Sequence, residues 1–187
     1  MAYRNGTYVA FHANGTNVPG ESDISYYNLL KAWTAKTDDE FTMINSHQKA
    51  AAVRDSSLRS TLRNSLLERL RNSKNMALVI GTTTRFDTDW VPFEIEQAID
   101  SYELPIIAVY TAAITSSPIR SPAHLSGFWP EALAQRINNK TGHVIHIPFK
   151  KLALADAIGQ FSHNHYPNGM GLGFYTDEAY ISFGIPG

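Results

Sequence analysis

The sequence contains no cysteine, and only 18% of its residues are charged. The first absence excludes disulfides, thiolate nucleophiles and cysteine-based zinc sites. The net charge is -1, so no basic field is present to attract nucleic acid. No apolar run approaches the ~20 residues of a membrane-spanning helix, and the N-terminal residues lack the apolar core of a signal peptide. We therefore expect a cytoplasmic protein that binds neither nucleic acid nor membrane.

The chain has 187 residues, of which 43% are apolar. This length and composition are typical of a globular protein with one core. We expect a single α/β domain over residues 1–162, in which 113–142 form an insertion or loop-rich part. An aromatic, glycine-rich extension is expected over residues 163–187. No G-x-G-x-x-G follows the first strand and no G-x-S-x-G occurs, which argues against a Rossmann dehydrogenase and an α/β-hydrolase.

Apolar runs alternate with amphipathic segments along the chain. The predicted strands are residues 7–12, 41–46, 75–81, 104–111 and 142–149. The predicted helices are residues 24–36, 56–75, 90–101, 130–137 and 150–164. The continuous apolar run at 75–81 indicates a strand buried on both faces, as in a parallel sheet. The β-α order therefore predicts a three-layer sandwich with a central, mainly parallel sheet and right-handed crossovers.

The second predicted helix carries a leucine at every fourth position and several arginines between them. The leucines form its apolar stripe. We interpret the arginines as its solvated face: Arg59, Arg63, Arg69 and Arg71.

Ligands of open parallel sheets bind beyond the carboxyl ends of the strands. The loops at those ends are residues 11–17, 45–48, 81–89 and 110–117. Within the third loop, Thr82 to Arg85 supply hydroxyls and a guanidinium group, which suit sugar and phosphate oxygens. The alternative is an ordinary polar loop in which Thr88 or Asp89 caps the next helix.

Glu94 has an unusual position in the helix that follows this loop. On a helical wheel it lies roughly 80° from the centre of the apolar stripe. It is nearer to the stripe than Glu96, Asp100 or Glu103. In the first turn, its charge would also be favoured by the helix dipole. Glu94 is therefore either a helix-terminus carboxylate or one placed at the buried face for chemistry.

One carboxylate is enough for one kind of glycosidic cleavage. When nicotinamide leaves a ribose it departs as a neutral base, so no general acid is required. Positive, oxocarbenium-like charge develops on the sugar, and a fixed carboxylate facing it stabilises the transition state. Ordinary glycosidases use two carboxylates instead.

Three motifs in order resemble one family. They are a strand ending in Phe11 and His12, the strand end Val79 to Gly81, and the helix start "WVPFEI" at residues 90–95. These segments are similar to the TIR-like proteins of bacterial Thoeris antiphage defence, over about residues 5 to 112. Pro92 stands where we associate an arginine with the family.

The resemblance implies a flavodoxin-like fold and NAD as substrate rather than as cofactor. It implies that Glu94 is the catalytic glutamate and that Phe11 and His12 lie near the nicotinamide and its ribose. Ser46, Thr83 and Arg85 are further candidate substrate-binding residues. The expected product is a signalling nucleotide, such as a cyclic ADP-ribose isomer or a conjugate, made after a phage-derived trigger. A separate effector protein would respond to it.

Two alternatives stay open at this point. The first is a non-catalytic TIR-like module that acts by self-association, as a homo-oligomer, for which the aromatic extension would provide a contact surface. The second concerns His163 and His165, whose two-residue spacing in a polar segment is more typical of a surface loop than of a metal site. We predict no metal site.

Overall fold

The computed structural model describes residues 4–12, 24–34, 43–44 and 56–186. Five parallel strands form one sheet in the order β2-β1-β3-β4-β5. This is the flavodoxin-like strand order of doubly wound sheets. The predicted α/β sandwich with a parallel sheet is therefore confirmed.

Each strand overlaps its predicted segment, but the limits differ: β1 begins one residue earlier than predicted, and β3 begins at Ser73, inside the predicted helix 56–75, because the preceding helix already ends at Arg71. Their bounds are β1 Gly6–Ala10, β2 Met43–Ile44, β3 Ser73–Ile80, β4 Ile106–Tyr110 and β5 Val144–Pro148. β1 ends before His12, so Phe11 and His12 belong to the exit of the strand. The predicted capping residues Ser22 and Asp23 and the candidate Ser46 lie outside the described residues.

The helices cover both faces of the sheet. Their bounds are α1 Ile24–Thr34, α2 Ser56–Arg71, α3 Trp90–Glu96, α4 Glu131–Asn138, α5 Lys151–Gln160 and α6 Asp177–Ser182. α3 continues as a π-helical turn, Gln97–Ser101, and short 3-10 segments occur at Thr84–Phe86 and Pro122–Phe128. No helix among the described ranges is long and apolar enough to cross a membrane.

Side chains of the strands alternate between two cores, one on each face of the sheet. Tyr8 and Ala10 of β1 point to the core under α2, α3 and α4. Val9 and Phe11 point to the opposite core, under α1 and α5. Because successive strand residues face opposite sides, neighbouring residues of β1 serve different cores. This alternation decides which candidate residues can meet Glu94.

The segment after α5 packs on the edge and one face of the sheet. Gly173 forms a parallel bridge with Ile145, in which His146 N donates to Gly173 O at 2.9 Å. Further on, Tyr180 of α6 is fully buried in the core under α1 and α5. The aromatic residues of this segment therefore complete a core that the five strands leave partly open.

A buried hydrogen-bonded chain joins β4, β5 and the C-terminal segment. Trp129 Nε1 donates to Tyr110 Oη at 2.7 Å, and Tyr110 Oη lies 2.8 Å from His146 Nδ1. His146 Nε2 lies 2.8 Å from Gly171 O. The chain is satisfied if His146 is neutral with its proton on Nε2. Burial lowers the pKa of His146 to about 4, although the Gly171 carbonyl opposes this shift.

We predict that the free energy of unfolding falls as the pH drops from about 6.5 towards about 4. The unfolded chain takes up a proton on His146 in this range and the folded chain does not, so acid favours unfolding. The contribution of His146 is about 3 kcal/mol. Denaturant titrations at a series of pH values measure the free energy of unfolding. The difference in this free energy between wild type and His146→Gln or His146→Phe should shrink as the pH falls. A constant difference would contradict the prediction, and the exposed His124→Gln is the control.

A second prediction concerns the close approach of Gly173 to β5. A Cβ atom there would lie 2.6 Å from Asn168 O and 2.7 Å from Val144 O. Both neighbours are backbone, so Gly173→Ala should destabilise the fold by about 1–3 kcal/mol. Gly159→Ala in α5 is the matched control, since a Cβ atom added there would meet nothing within 4 Å, and it should stabilise by about 0.5–1 kcal/mol. Thermal unfolding of both variants tests the difference, and equal midpoints would refute it.

Candidate functional site

The carboxyl ends of β1 and β3 bring two candidate residues together. His12 Nδ1, just beyond β1, lies 3.4 Å from Thr83 Oγ1 in the loop after β3. His12 Nε2 lies 4.0 Å from a carboxylate oxygen of Asp87 in the same loop. Because both strands are parallel, their exits meet at one edge of the sheet. His12, Thr83 and Asp87 thus form a small polar group at that edge.

The threonines of the loop after β3 have different environments. Thr84 is fully buried, and its Oγ1 accepts from Gly81 N at 2.7 Å. Its hydroxyl therefore shapes the loop. Thr83 is half-buried beside His12, and Thr82 is exposed. Of these hydroxyls, those of Thr82 and Thr83 are the ones placed where a ligand can reach them.

Asp87 caps the start of α3. Its Oδ1 accepts from Asp89 N at 2.9 Å and from Trp90 N at 3.0 Å. The prediction that Thr88 or Asp89 is the capping side chain was wrong, because Asp89 occupies the cap position without a side-chain cap bond. Asp87 lies earlier in the loop and folds back over the first turn. The same carboxylate thus links the helix start to His12.

Glu94 is fully buried on the inner side of α3. It is the fifth residue of the helix, whose first turn contains no acidic residue, so the expected first-turn position was wrong. The wheel placed Glu94 at the border of the apolar face, whereas its side chain lies in the interface between α3 and the sheet. Glu96, Asp100 and Glu103 are exposed, as predicted.

Tyr8 of β1 is a contact of Glu94. Its hydroxyl donates to Glu94 Oε1, and the tyrosine is fully buried. Burial raises the pKa of Tyr8 strongly, while the positive charge of Arg69 on α2 opposes the rise. The hydroxyl therefore stays protonated and acts as the donor to the carboxylate. Sequence analysis missed Tyr8, because no local pattern relates it to a residue 86 positions away.

Phe11 and Arg85 have contacts of their own away from Glu94. The Phe11 ring stacks on Tyr27 at 4.8 Å in the opposite core, and the residue is only 6% exposed. Arg85 is exposed, donates to Gly127 O at 2.7 Å and lies over the Phe86 ring. The structure therefore groups His12 with Thr83, but does not bring Phe11 or Arg85 to the Glu94 carboxylate.

The described part of the chain contains no cluster of side chains suited to bind a metal ion. No group of three or more His, Asp or Glu side chains among residues 4–12, 24–34, 43–44 and 56–186 could hold a metal ion. His165 Nδ1 lies 2.8 Å from Gln160 O, while His163 N donates to Lys74 O at 2.9 Å. The His165 imidazole thus contacts a backbone carbonyl at the end of α5, whereas the hydrogen bond of His163 is made by its backbone amide.

A comparison with known families gives a match that contains this edge of the sheet. A family model described as "Thoeris protein ThsB, TIR-like domain" matches residues 8–116. The match begins at Tyr8, includes His12, Thr83 and Glu94, and ends in the loop after β4. It covers more than half of the 187 residues. The chain therefore belongs to the TIR-like domain family of the Thoeris protein ThsB.

Proposed function

We propose that this protein is an NAD-consuming enzyme of antiphage defence, with Glu94 as its catalytic carboxylate. Membership in a Thoeris family suggests a defence role and implies a separate effector protein. The finer statement, cleavage of the bond between nicotinamide and ribose, rests on the chemistry that Glu94 can perform. The polar edge formed by His12 and Thr83 adds groups suited to a sugar.

The observation that carries the proposal is the burial of Glu94. Of the aspartates and glutamates among the described residues, Glu94 is the one that is fully buried. Placing a carboxylate in an apolar interface costs several kcal/mol unless it is hydrogen-bonded or paired. A single well-placed hydrophobic residue would stabilise the same interface at less cost. Strongly desolvated titratable groups near the ligand-binding edge of a sheet are candidates for function.

The proposed reaction uses Glu94 as an electrostatic partner of the ribose. The C1′–N bond breaks and its electron pair goes to the nicotinamide nitrogen, which leaves as a neutral base. The carboxylate stabilises the positive charge that develops on the ribose, and a dry environment strengthens this attraction. Because Glu94 is covered in this structure, ribose binding has to displace that cover, while the Tyr8 hydroxyl keeps its bond to Oε1 and holds the carboxylate in place.

The second step determines the product. A nucleophile attacks C1′, forms the new bond and loses its proton to solvent or a nearby base. Attack by a group within ADP-ribose gives a cyclic isomer, attack by water gives ADP-ribose, and attack by another molecule gives a conjugate. We propose that the product is a signalling nucleotide to which the effector responds. In this proposal the protein makes the signal after infection, and the separate effector protein carries out the response.

The other candidate residues have secondary parts in the proposal. His12 and Thr83 hold ribose hydroxyls at the rim, where both side chains are half-buried. Arg85 binds phosphate from its exposed position, after releasing Gly127 O. Phe11 would have to leave Tyr27 to stack on nicotinamide, so we assign it to holding the end of β1. Ser46 stays a prediction, since it lies outside the described residues.

A non-catalytic self-association module is the second candidate function. It is favoured by three exposed apolar side chains at alternate positions of the C-terminal segment: Met170 at 55%, Leu172 at 39% and Phe174 at 49% exposure. Met170 lies in a turn with a positive φ, and Leu172 and Phe174 flank Gly173, so the three side chains border the segment that pairs with β5. A scaffold of this kind predicts no turnover of NAD in any state.

The first prediction from the proposal is that Glu94→Gln reduces NAD cleavage by about 100-fold or more. The amide keeps the size of the side chain and can still accept from Tyr8, but it lacks the charge. Nicotinamide release is measured in protein from cells with and without phage challenge, because a sensor can be silent before its trigger. The exposed Glu96→Gln, on the same helix, is the matched control. Equal turnover by Glu94→Gln and wild type would exclude this role for Glu94.

The second prediction is that Tyr8→Phe lowers kcat by about 10-fold and leaves KM for NAD nearly unchanged. The phenylalanine keeps the packing and removes one donor to the Glu94 carboxylate. A carboxylate that loses a donor is protonated more easily, so the acid limb of the pH profile of kcat moves to higher pH. Tyr180→Phe, another fully buried tyrosine with hydrogen bonds to backbone, is the control. An unshifted pH profile would show that Tyr8 is a packing residue only.

A further inference from the structure

A groove runs between α2 and α3 on the outer side of the domain. Its cavity volume is about 430 Å³, which lies within the usual range for small-molecule sites. The lining residues are two arginines, a serine, an aspartate and two aromatic residues: Arg59, Ser60, Arg63, Asp89, Trp90 and Phe93. The groove thus combines cations with flat apolar surfaces.

The aromatic walls come from the first turn of α3. The rings of Trp90 and Phe93 have centroids 6.3 Å apart and an interplanar angle of 80°. One ring therefore presents its edge to the face of the other, and the two rings meet nearly at a right angle. Arg59 Cζ lies 5.4 Å from the Trp90 ring centroid, and Arg63 Cζ lies 4.5 Å from that of Phe93. Each guanidinium is thus oriented by a cation–π contact.

The two arginines are four residues apart on α2, so they lie on one face of the helix. Both are exposed, as the sequence predicts for a solvated face, and the structure adds that they form one side of this groove. Arg59 forms an ion pair with Asp89. Arg63 has no ion pair with any carboxylate in the part of the chain that the structure describes. One positive charge of the groove is therefore not balanced by a lining residue.

The groove is separate from Glu94. Phe93 and Glu94 are adjacent, so their side chains point about 100° apart around the helix. Phe93 lines the groove, whereas Glu94 is buried against Tyr8 of the sheet. A ligand in the groove therefore does not need the carboxylate.

We propose that this groove is a second ligand site, which binds a phosphorylated nucleotide with its phosphate on the arginines and its base on the aromatic rings. Planar guanidinium groups match phosphate oxygens with paired donors. Nucleobases stack on aromatic rings with little dependence on sequence. Asp89 and Ser60 offer partners for ribose hydroxyls. The site requires both a phosphate and a base, which distinguishes it from a general anion site.

The test uses AMP, the smallest probe that contains both groups, with adenosine, ribose 5-phosphate and inorganic phosphate for comparison. We expect AMP to bind at least 10-fold more tightly than each of the others by isothermal titration calorimetry. Arg63→Gln should weaken AMP binding at least 10-fold. Arg71→Gln, an exposed arginine at the end of the same helix, should leave it unchanged. The indole N–H resonance of Trp90, identified by its loss in Trp90→Phe, should shift during the titration.

Several results would overturn the proposal. The first is the absence of both heat and a Trp90 shift up to about 5 mM AMP, because a dissociation constant above that concentration is weaker than the usual range of specific ligands. The second is binding of inorganic phosphate as tight as that of AMP. The third is an unchanged affinity for AMP in Arg63→Gln. Thermal unfolding checks that the variant is folded. Glu94→Gln should retain AMP binding, and its loss would place AMP at the sheet edge instead. An inactive NAD assay leaves this proposal standing, because the binding measurement does not require turnover.

Discussion

The hydrogen bond from Tyr8 to Glu94 joins the central part of the sheet to the helix that follows β3. It requires β1 to present Tyr8 towards α3, and this in turn directs Phe11 to the opposite core. Because successive side chains of a strand point to opposite faces of the sheet, Tyr8 and Phe11 face different cores. Candidate residues that are close in sequence are thereby separated by the thickness of the sheet. The chemistry we assign to the protein depends on a carboxylate kept away from water by this contact.

The edge of the sheet at β5 is closed by a different kind of interaction. Gly173 pairs with β5, and the buried His146 extends from β5 to Gly171. A strand edge without such cover offers unpaired backbone groups to other chains. The hydrogen-bonded chain through Tyr110 and Trp129 needs a neutral imidazole, and burial provides it. The C-terminal segment therefore contributes to the integrity of the sheet, although the family match ends at residue 116.

Much of the fold could be predicted because its signals are local. After Asn75, the run at residues 76–81 has no polar side chain, and the structure buries β3 almost completely. The wheel of the helix at 90–101 correctly separated Glu94 from Glu96, Asp100 and Glu103. Contacts between distant segments could not be predicted in this way. The capping role of Asp87 depends on the path of a loop, and the groove position of Arg63 depends on how α2 and α3 pack.

By itself, the sequence determined the class of fold, the family and the unusual position of one glutamate, because apolar periodicity and short motifs are properties of neighbouring residues. Tertiary structure decided which groups surround that glutamate. Tyr8 and Glu94 are 86 positions apart, and no periodicity links them. Their contact exists because parallel strands and their crossover helices bring remote segments to one interface, where packing selects which polar side chains meet.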